Sequence, residues 1–115
     1  MDLELKDKVA IVTGGSKGIG KVIARVLANE GVDVAICSRT LETLESTASE
    51  LSKETGRKII PIRADMTSSS DVQNVVDRTI EEFGRIDILV NNAAMVGGQV
   101  APNLADATEK DLIED

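Results

Sequence analysis

Residues 9–13, VAIVT, form an unbroken apolar run rich in β-branched side chains that stops at glycine, which predicts a short strand buried on both faces. The period then changes. Ile19, Val22, Ile23, Val26 and Leu27 recur at offsets of three, four, seven and eight, which predicts one apolar stripe on a helix that stops at Gly31. Residues 32–38, VDVAICS, predict a second strand, and Leu41, Leu44, Ala48 and Leu51 predict a second helix ended by Gly56. Residues 58–63, KIIPIR, predict a third strand. Pro61 within it cannot donate to a ladder, so that strand is expected at a sheet edge. Ser70-Asp71-Val72-Gln73 has the S-x-x-Q form of a capping box, and Val72, Val75, Val76, Ile80 and Phe83 then repeat at helical spacing as far as Gly84. Residues 87–91, DILVN, predict a fourth strand. The remainder is expected to begin as a loop and to start a helix near Thr108.

Strands alternating with helices imply an α/β fold: a parallel sheet covered on both faces through right-handed crossovers. With the first strand central and the third at an edge, the strand order is 3-2-1-4. That is the doubly wound (Rossmann) dinucleotide-binding half-fold, here truncated. At 115 residues the chain is one domain at most, so residues 1–115 are read as a single domain of this fold. Internal repeats, low-complexity tracts and linkers are absent from the sequence.

Composition narrows the chemistry. The formal charge is −7 with Lys and Arg scattered, which argues against a nucleic-acid partner. No segment of the sequence is long and apolar enough to span a bilayer, and the acidic start MDLELKD lacks the layout of a signal peptide, so a cytoplasmic location is the expectation. Cys37 is the single cysteine and histidine is absent, so neither an internal disulfide nor a cysteine or histidine metal cage is expected. Tyrosine is absent as well.

Gly14, Gly18 and Gly20 stand where the buried first strand meets a helix N-terminus. Free N–H groups and the helix dipole converge there, and glycine lets a pyrophosphate approach the backbone. One glycine would suffice for a merely tight turn; three favour phosphate binding. Gly15 to Lys21 also matches the opening of a P-loop. The next residue is Val22 rather than the Ser or Thr that would hold Mg²⁺, and Asp87 precedes its apolar strand instead of following it. An acid about 20 residues beyond the loop would grip the ribose 2′-hydroxyl of NAD, whereas an Arg suits a 2′-phosphate. The residues at that distance are Ser38 and Arg39, and Lys17 adds a cation in the loop, which favours NADP(H).

Three motifs in order, TGGSKGIG at 13–20, Asp65-Met66-Thr67 and NNAA at 91–94, resemble those of the short-chain dehydrogenase/reductase family, including its 3-oxoacyl-ACP reductase-like members. The resemblance covers essentially the whole chain. It implies that Gly14, Ser16, Lys17, Gly18, Ile19 and Gly20 wrap the pyrophosphate and adenosine ribose, and that Ser38 and Arg39 take the 2′-phosphate. Asp65 would bond the adenine amine with Met66 beside it. Asn91 would brace the sheet and approach the cofactor, and the backbone of Ala93 would pass near the nicotinamide ribose. The alternative for Asp65 and Asn91 is a turn residue or a strand cap. Ala94 stands where the family has glycine.

The family's chemistry moves a hydride between nicotinamide and a carbonyl or alcohol carbon, with a Tyr phenol exchanging the proton beside Lys and Ser. Those residues fall beyond NNAG in the family, so no residue of this chain is expected to be catalytic. Two readings follow. In one, the chain is the N-terminal part of an NADP(H)-dependent oxidoreductase, homo-oligomeric when full length and acting on a small carbonyl or alcohol. In the other, it is a complete short module that binds the dinucleotide or modulates an oligomer without turnover.

Overall fold

The computed structural model describes residues 4–16 and 18–92. Lys17, Ala93, Ala94 and the expected helix near Thr108 lie outside those residues. Seven elements alternate along the chain: β1 (Val9–Thr13), α1 (Gly18–Asn29), β2 (Asp33–Ser38), α2 (Leu41–Thr55), β3 (Ile59–Arg63), α3 (Ser69–Phe83) and β4 (Ile88–Val90). All strand pairs are parallel, and the sheet order is β3-β2-β1-β4. Pro61 sits on the edge strand β3, opposite Ile36, where its missing N–H costs the sheet nothing.

Period-two alternation sends β1 side chains to two separate cores. Ala10 and Val12 face α1 and α2 with Val34, Ile36, Leu44 and Leu51. Ile11 faces the other way, toward α3, with Ala35, Ile60, Ile62 and Val75. Two covered faces explain why β1 reads as continuous apolar sequence: all five of its residues are buried.

The helix stripes differ from the sequence expectation. In α1 the buried positions are Gly20, Ala24 and Ala28, flanked by partly buried Ile23 and Leu27. Ile19, Val22 and Val26 point outward, 70%, 53% and 55% exposed. Small residues four apart let the helix lie low on the sheet, and that close seating decides its orientation rather than hydropathy. In α3, Val75 and Thr79 are buried and Val72 and Phe83 pack beside them, while Ile80 is exposed. The cap of α3 is Ser68, not Ser70: Ser68 is extended, and its Oγ accepts from the Asp71 N–H at 3.3 Å. Gln73 turns instead to Asp77, donating at 2.9 Å.

Chain direction reverses across the sheet between β1 and β4. After β1 the chain steps outward to β2 and β3, and α3 then carries it back over the opposite face to β4. The C-terminal ends of the strands therefore gather their following loops at one edge, where open α/β sheets bind ligands.

Candidate functional site

The turn after β1 is held from behind by the sheet. The Gly14 N–H donates to the Cys37 carbonyl at 2.7 Å, so this amide is spent inside the fold. Gly14 and Gly18 both take left-handed backbone, with φ of 69° and 61°. A Cβ at Gly18 would meet no atom within 4 Å, so the turn faces open space there. Gly20 is the opposite case: a Cβ on it would lie 2.1 Å from the Gly14 carbonyl oxygen and 2.9 Å from Asn92 Nδ2. One glycine leaves room in front of the turn, and another lets the helix close up behind it.

The first amides of a helix have no intrahelical acceptor. In α2 and α3 an acidic side chain of the same chain stands in the first turn, Glu42 and Asp71 respectively; α1 has none. The positive end of the α1 dipole is thus not answered by a carboxylate of its own first turn, and it faces the open side of Gly18. Ser16 is buried, and its carbonyl accepts from Thr47 Oγ1 at 2.9 Å, which ties the turn to α2. Ile19, expected both in the core stripe and at the site, is exposed at the start of α1.

Across the edge, β2 ends at Ser38 and Arg39 is exposed just beyond it. Ser38 Oγ accepts from the Thr40 N–H at 3.4 Å. Asp65 follows β3. Its Oδ1 accepts from the Thr67 N–H at 2.9 Å and from Thr67 Oγ1 at 2.6 Å, and these bonds, aided by the charges of Arg39 and Arg63, hold its carboxyl below the ordinary carboxylate range. Asp65 therefore builds the turn and remains ionised beside the two guanidiniums. Met66 is buried in the α3-side core, so its main chain rather than its thioether borders the edge.

Thr13 joins the first and fourth strands at their ends. Its Oγ1 lies 3.3 Å from both the Val90 carbonyl and Asn91 Oδ1, and it accepts from the Asn92 N–H at 2.7 Å. Asn91 thus stands beside the end of β1, next to the glycine turn. Four residues that shape this edge escaped the sequence reading: Thr13, Thr47, Arg63 and Asn92. Thr13 and Asn92 lie inside the quoted motifs TGGSKGIG and NNAA without a role of their own there, and Thr47 falls between Leu44 and Ala48 on the buried stripe of α2.

The arrangement can hold an extended anionic ligand: helix amides and a glycine opening at the middle of the edge, a guanidinium at the end of β2, and a carboxylate and main chain after β3. A dinucleotide fits this donor set: the turn could hold a diphosphate, and Arg39 and Asp65 could meet an adenosine. Among the described residues no cluster of metal-ligating side chains is present. No helix among them is long and apolar enough to cross a membrane.

Comparison with known proteins agrees with this layout. The profile of the short chain dehydrogenase family matches residues 8–114. The peroxisomal 2,4-dienoyl-CoA reductase of Danio rerio is 47% identical over 90 residues, 78% of this chain and 30% of that protein. A putative ketoacyl reductase of Streptomyces coelicolor is 39% identical over 107 residues, 93% of this chain and 41% of that protein. The chain thus spans well under half the length of these curated relatives. L-sorbose reductase from Gluconobacter frateurii, solved with NADPH and L-sorbose, superposes with a TM-score of 0.79 at 36% identity, covering 82% of this chain and 36% of that one. An NAD⁺-bound xylitol dehydrogenase superposes with a TM-score of 0.75 at 35% identity, covering 79% and 35%. A parallel β3-β2-β1-β4 sheet, a glycine turn at its reversal point and a match running nearly end to end make this chain a member of the short-chain dehydrogenase family.

Proposed function

We propose that this chain is the cofactor-binding part of an NADP(H)-dependent oxidoreductase that transfers hydride between nicotinamide and a carbonyl or alcohol carbon. The family carries the first half of the reading. The coenzyme choice rests on one observation: β2 ends in Ser38 followed by exposed Arg39, with no carboxylate at the position that would grip a free ribose 2′-hydroxyl. A guanidinium offers a phosphate monoester two parallel N–H donors, and Ser38 adds a hydroxyl. Both NADPH and NAD⁺ occur among the solved neighbours, so the preference has to come from these residues.

When bound, the coenzyme supplies the hydride. The residues of this chain bind and orient it: the turn from Gly14 to Gly20 takes the diphosphate, Ser38 and Arg39 the 2′-phosphate, Asp65 and the Met66 backbone the adenine. Asn91, beside Thr13, borders the path toward the nicotinamide. The 115 residues contain no tyrosine, so this reading assigns them binding rather than proton transfer.

Titration of the chain with NADPH and with NADH, followed by nicotinamide fluorescence, tests the reading. The expected result is tighter binding of NADPH by roughly tenfold or more, the size of one charge-assisted contact. Equal affinities would remove the 2′-phosphate assignment, and binding of neither would remove the site.

A further inference from the structure

Arg63 plays no part in the reading above, yet it stands one strand away from the proposed 2′-phosphate position. Ser38 and Arg63 are partners in the last rung of the β2–β3 ladder, and the Ala64 N–H donates to the Ser38 carbonyl at 2.8 Å. The Arg63 side chain is about half exposed, and its Nη1 lies 3.6 Å from Asp71 Oδ2. That same oxygen accepts from the Asp65 N–H at 2.8 Å, which brings a second acid against the turn that carries Asp65.

The edge therefore combines two carboxylates, Asp65 and Asp71, with two guanidiniums, Arg39 and Arg63. Asp65 feels the charge of both arginines. A phosphate monoester brings close to two negative charges to this place. With Arg63 present, the four side chains cancel, and Arg39 is not the sole counter-charge for its neighbours. Without it the group is net negative, and Arg39 must answer two acids before it can answer a ligand.

We propose that Arg63 is a specificity-determining residue of this chain: by taking up the charge of Asp71 and sharing that of Asp65, it leaves Arg39 available to the 2′-phosphate. The inference rests on the NADP(H) reading and adds to it a residue acting through its neighbours rather than by touching the coenzyme. Arg63 is accordingly a positioning residue, whose effect passes through the field at Arg39.

The test is a set of NADPH and NADH titrations on the 115-residue chain and its variants, with far-UV circular dichroism melts beside them. Arg63→Gln is expected to weaken NADPH roughly three- to fivefold, the range for a partly exposed charge pair, and to leave NADH unchanged. The loss should shrink at high salt, because exposed charges are screened. Arg63→Lys, which keeps the charge, should retain most of the preference. Asp71→Asn keeps an oxygen for the Asp65 N–H while removing an acid, so adding it to Arg63→Gln should restore NADPH binding. Alone it should strengthen NADPH, which tests the idea even if Arg63→Gln does not fold. Equal losses for both coenzymes, no change in either, or no response to Asp71→Asn would each overturn the proposal. Failure of the underlying reading looks different: wild type without preference for NADPH, or an unchanged preference in Arg39→Gln.

Discussion

Gly20 packs so closely beneath the Gly14 carbonyl that a Cβ on it would sit 2.1 Å from that oxygen. The neighbour is backbone, which cannot swing aside. Gly20→Ala is therefore expected to force α1 away from β1, destabilise the fold by about 1–3 kcal/mol and abolish NADPH binding. Gly18→Ala meets open space, and its cost is the left-handed backbone alone, about 1–2 kcal/mol. Thermal melts and coenzyme titration of the two variants separate crowding from strain.

Thr47 gives a second handle on the turn. Thr47→Val removes the hydroxyl that donates to the buried Ser16 carbonyl and is expected to cost about 1–3 kcal/mol, with weaker NADPH binding. Thr47→Ser keeps the hydroxyl and should recover most of both. Urea unfolding alongside fluorescence titration measures the pair.

Coenzyme choice should be reversible at the end of β2. Ser38→Asp places a carboxylate where the 2′-phosphate would lie while retaining an acceptor for the Thr40 N–H. NADPH affinity is expected to fall by roughly tenfold or more and NADH affinity to rise. An unchanged ratio would count against the placement of the ribose.

Asp87 couples folding to pH at the other end of the sheet. Its carboxylate accepts from Arg85 Nε and Nη2, both at 2.8 Å, and from the Val9 N–H at 2.9 Å. The Arg85 bonds lead in holding its pKa below the ordinary 3.8. A carboxyl whose folded value is lowered stabilises the fold above its unfolded value and loses that contribution as pH falls through the folded one. Asp87→Asn should thus cost about 0.5–1 kcal/mol at neutral pH, with the gap from wild type closing below pH 3.8 in acid titrations of stability.

Cys37 serves as a probe of opening. It is fully buried in the sheet, and burial pushes its thiol up to about 12. Reaction with a disulfide reagent at pH 8 should be slower than for the unfolded chain by orders of magnitude, and should follow unfolding rather than thiolate chemistry.

Much of this architecture is legible in the residues themselves. β-Branched runs ended by glycine give β1 to the residue, and Pro61 marks the edge strand because its missing donor excludes a central position. Orientation of α1 is not legible by hydropathy, since Gly20, Ala24 and Ala28 make the contact while larger Ile19, Val22 and Val26 stay outside. The sequence points to Ser70 as the cap of α3, two residues past the actual Ser68, because consecutive serines offer the same hydroxyl and the extended backbone at Ser68 distinguishes them. At the site, glycines and Arg39 announce themselves through spacing. The ties from Thr47 to Ser16 and from Thr13 to Asn91 do not, because each joins residues that only the folded register brings together.

The low seat of α1 has a mechanical corollary. Gly20, Ala24 and Ala28 act as shims of minimal thickness between helix and sheet, and the amide-bearing tip of α1 is rigidly continuous with them. Two methyl groups added about two turns away, as in Ala28→Val, would tilt the rod and displace its tip, so the grip proposed for the ligand would be calibrated from a place the ligand never reaches.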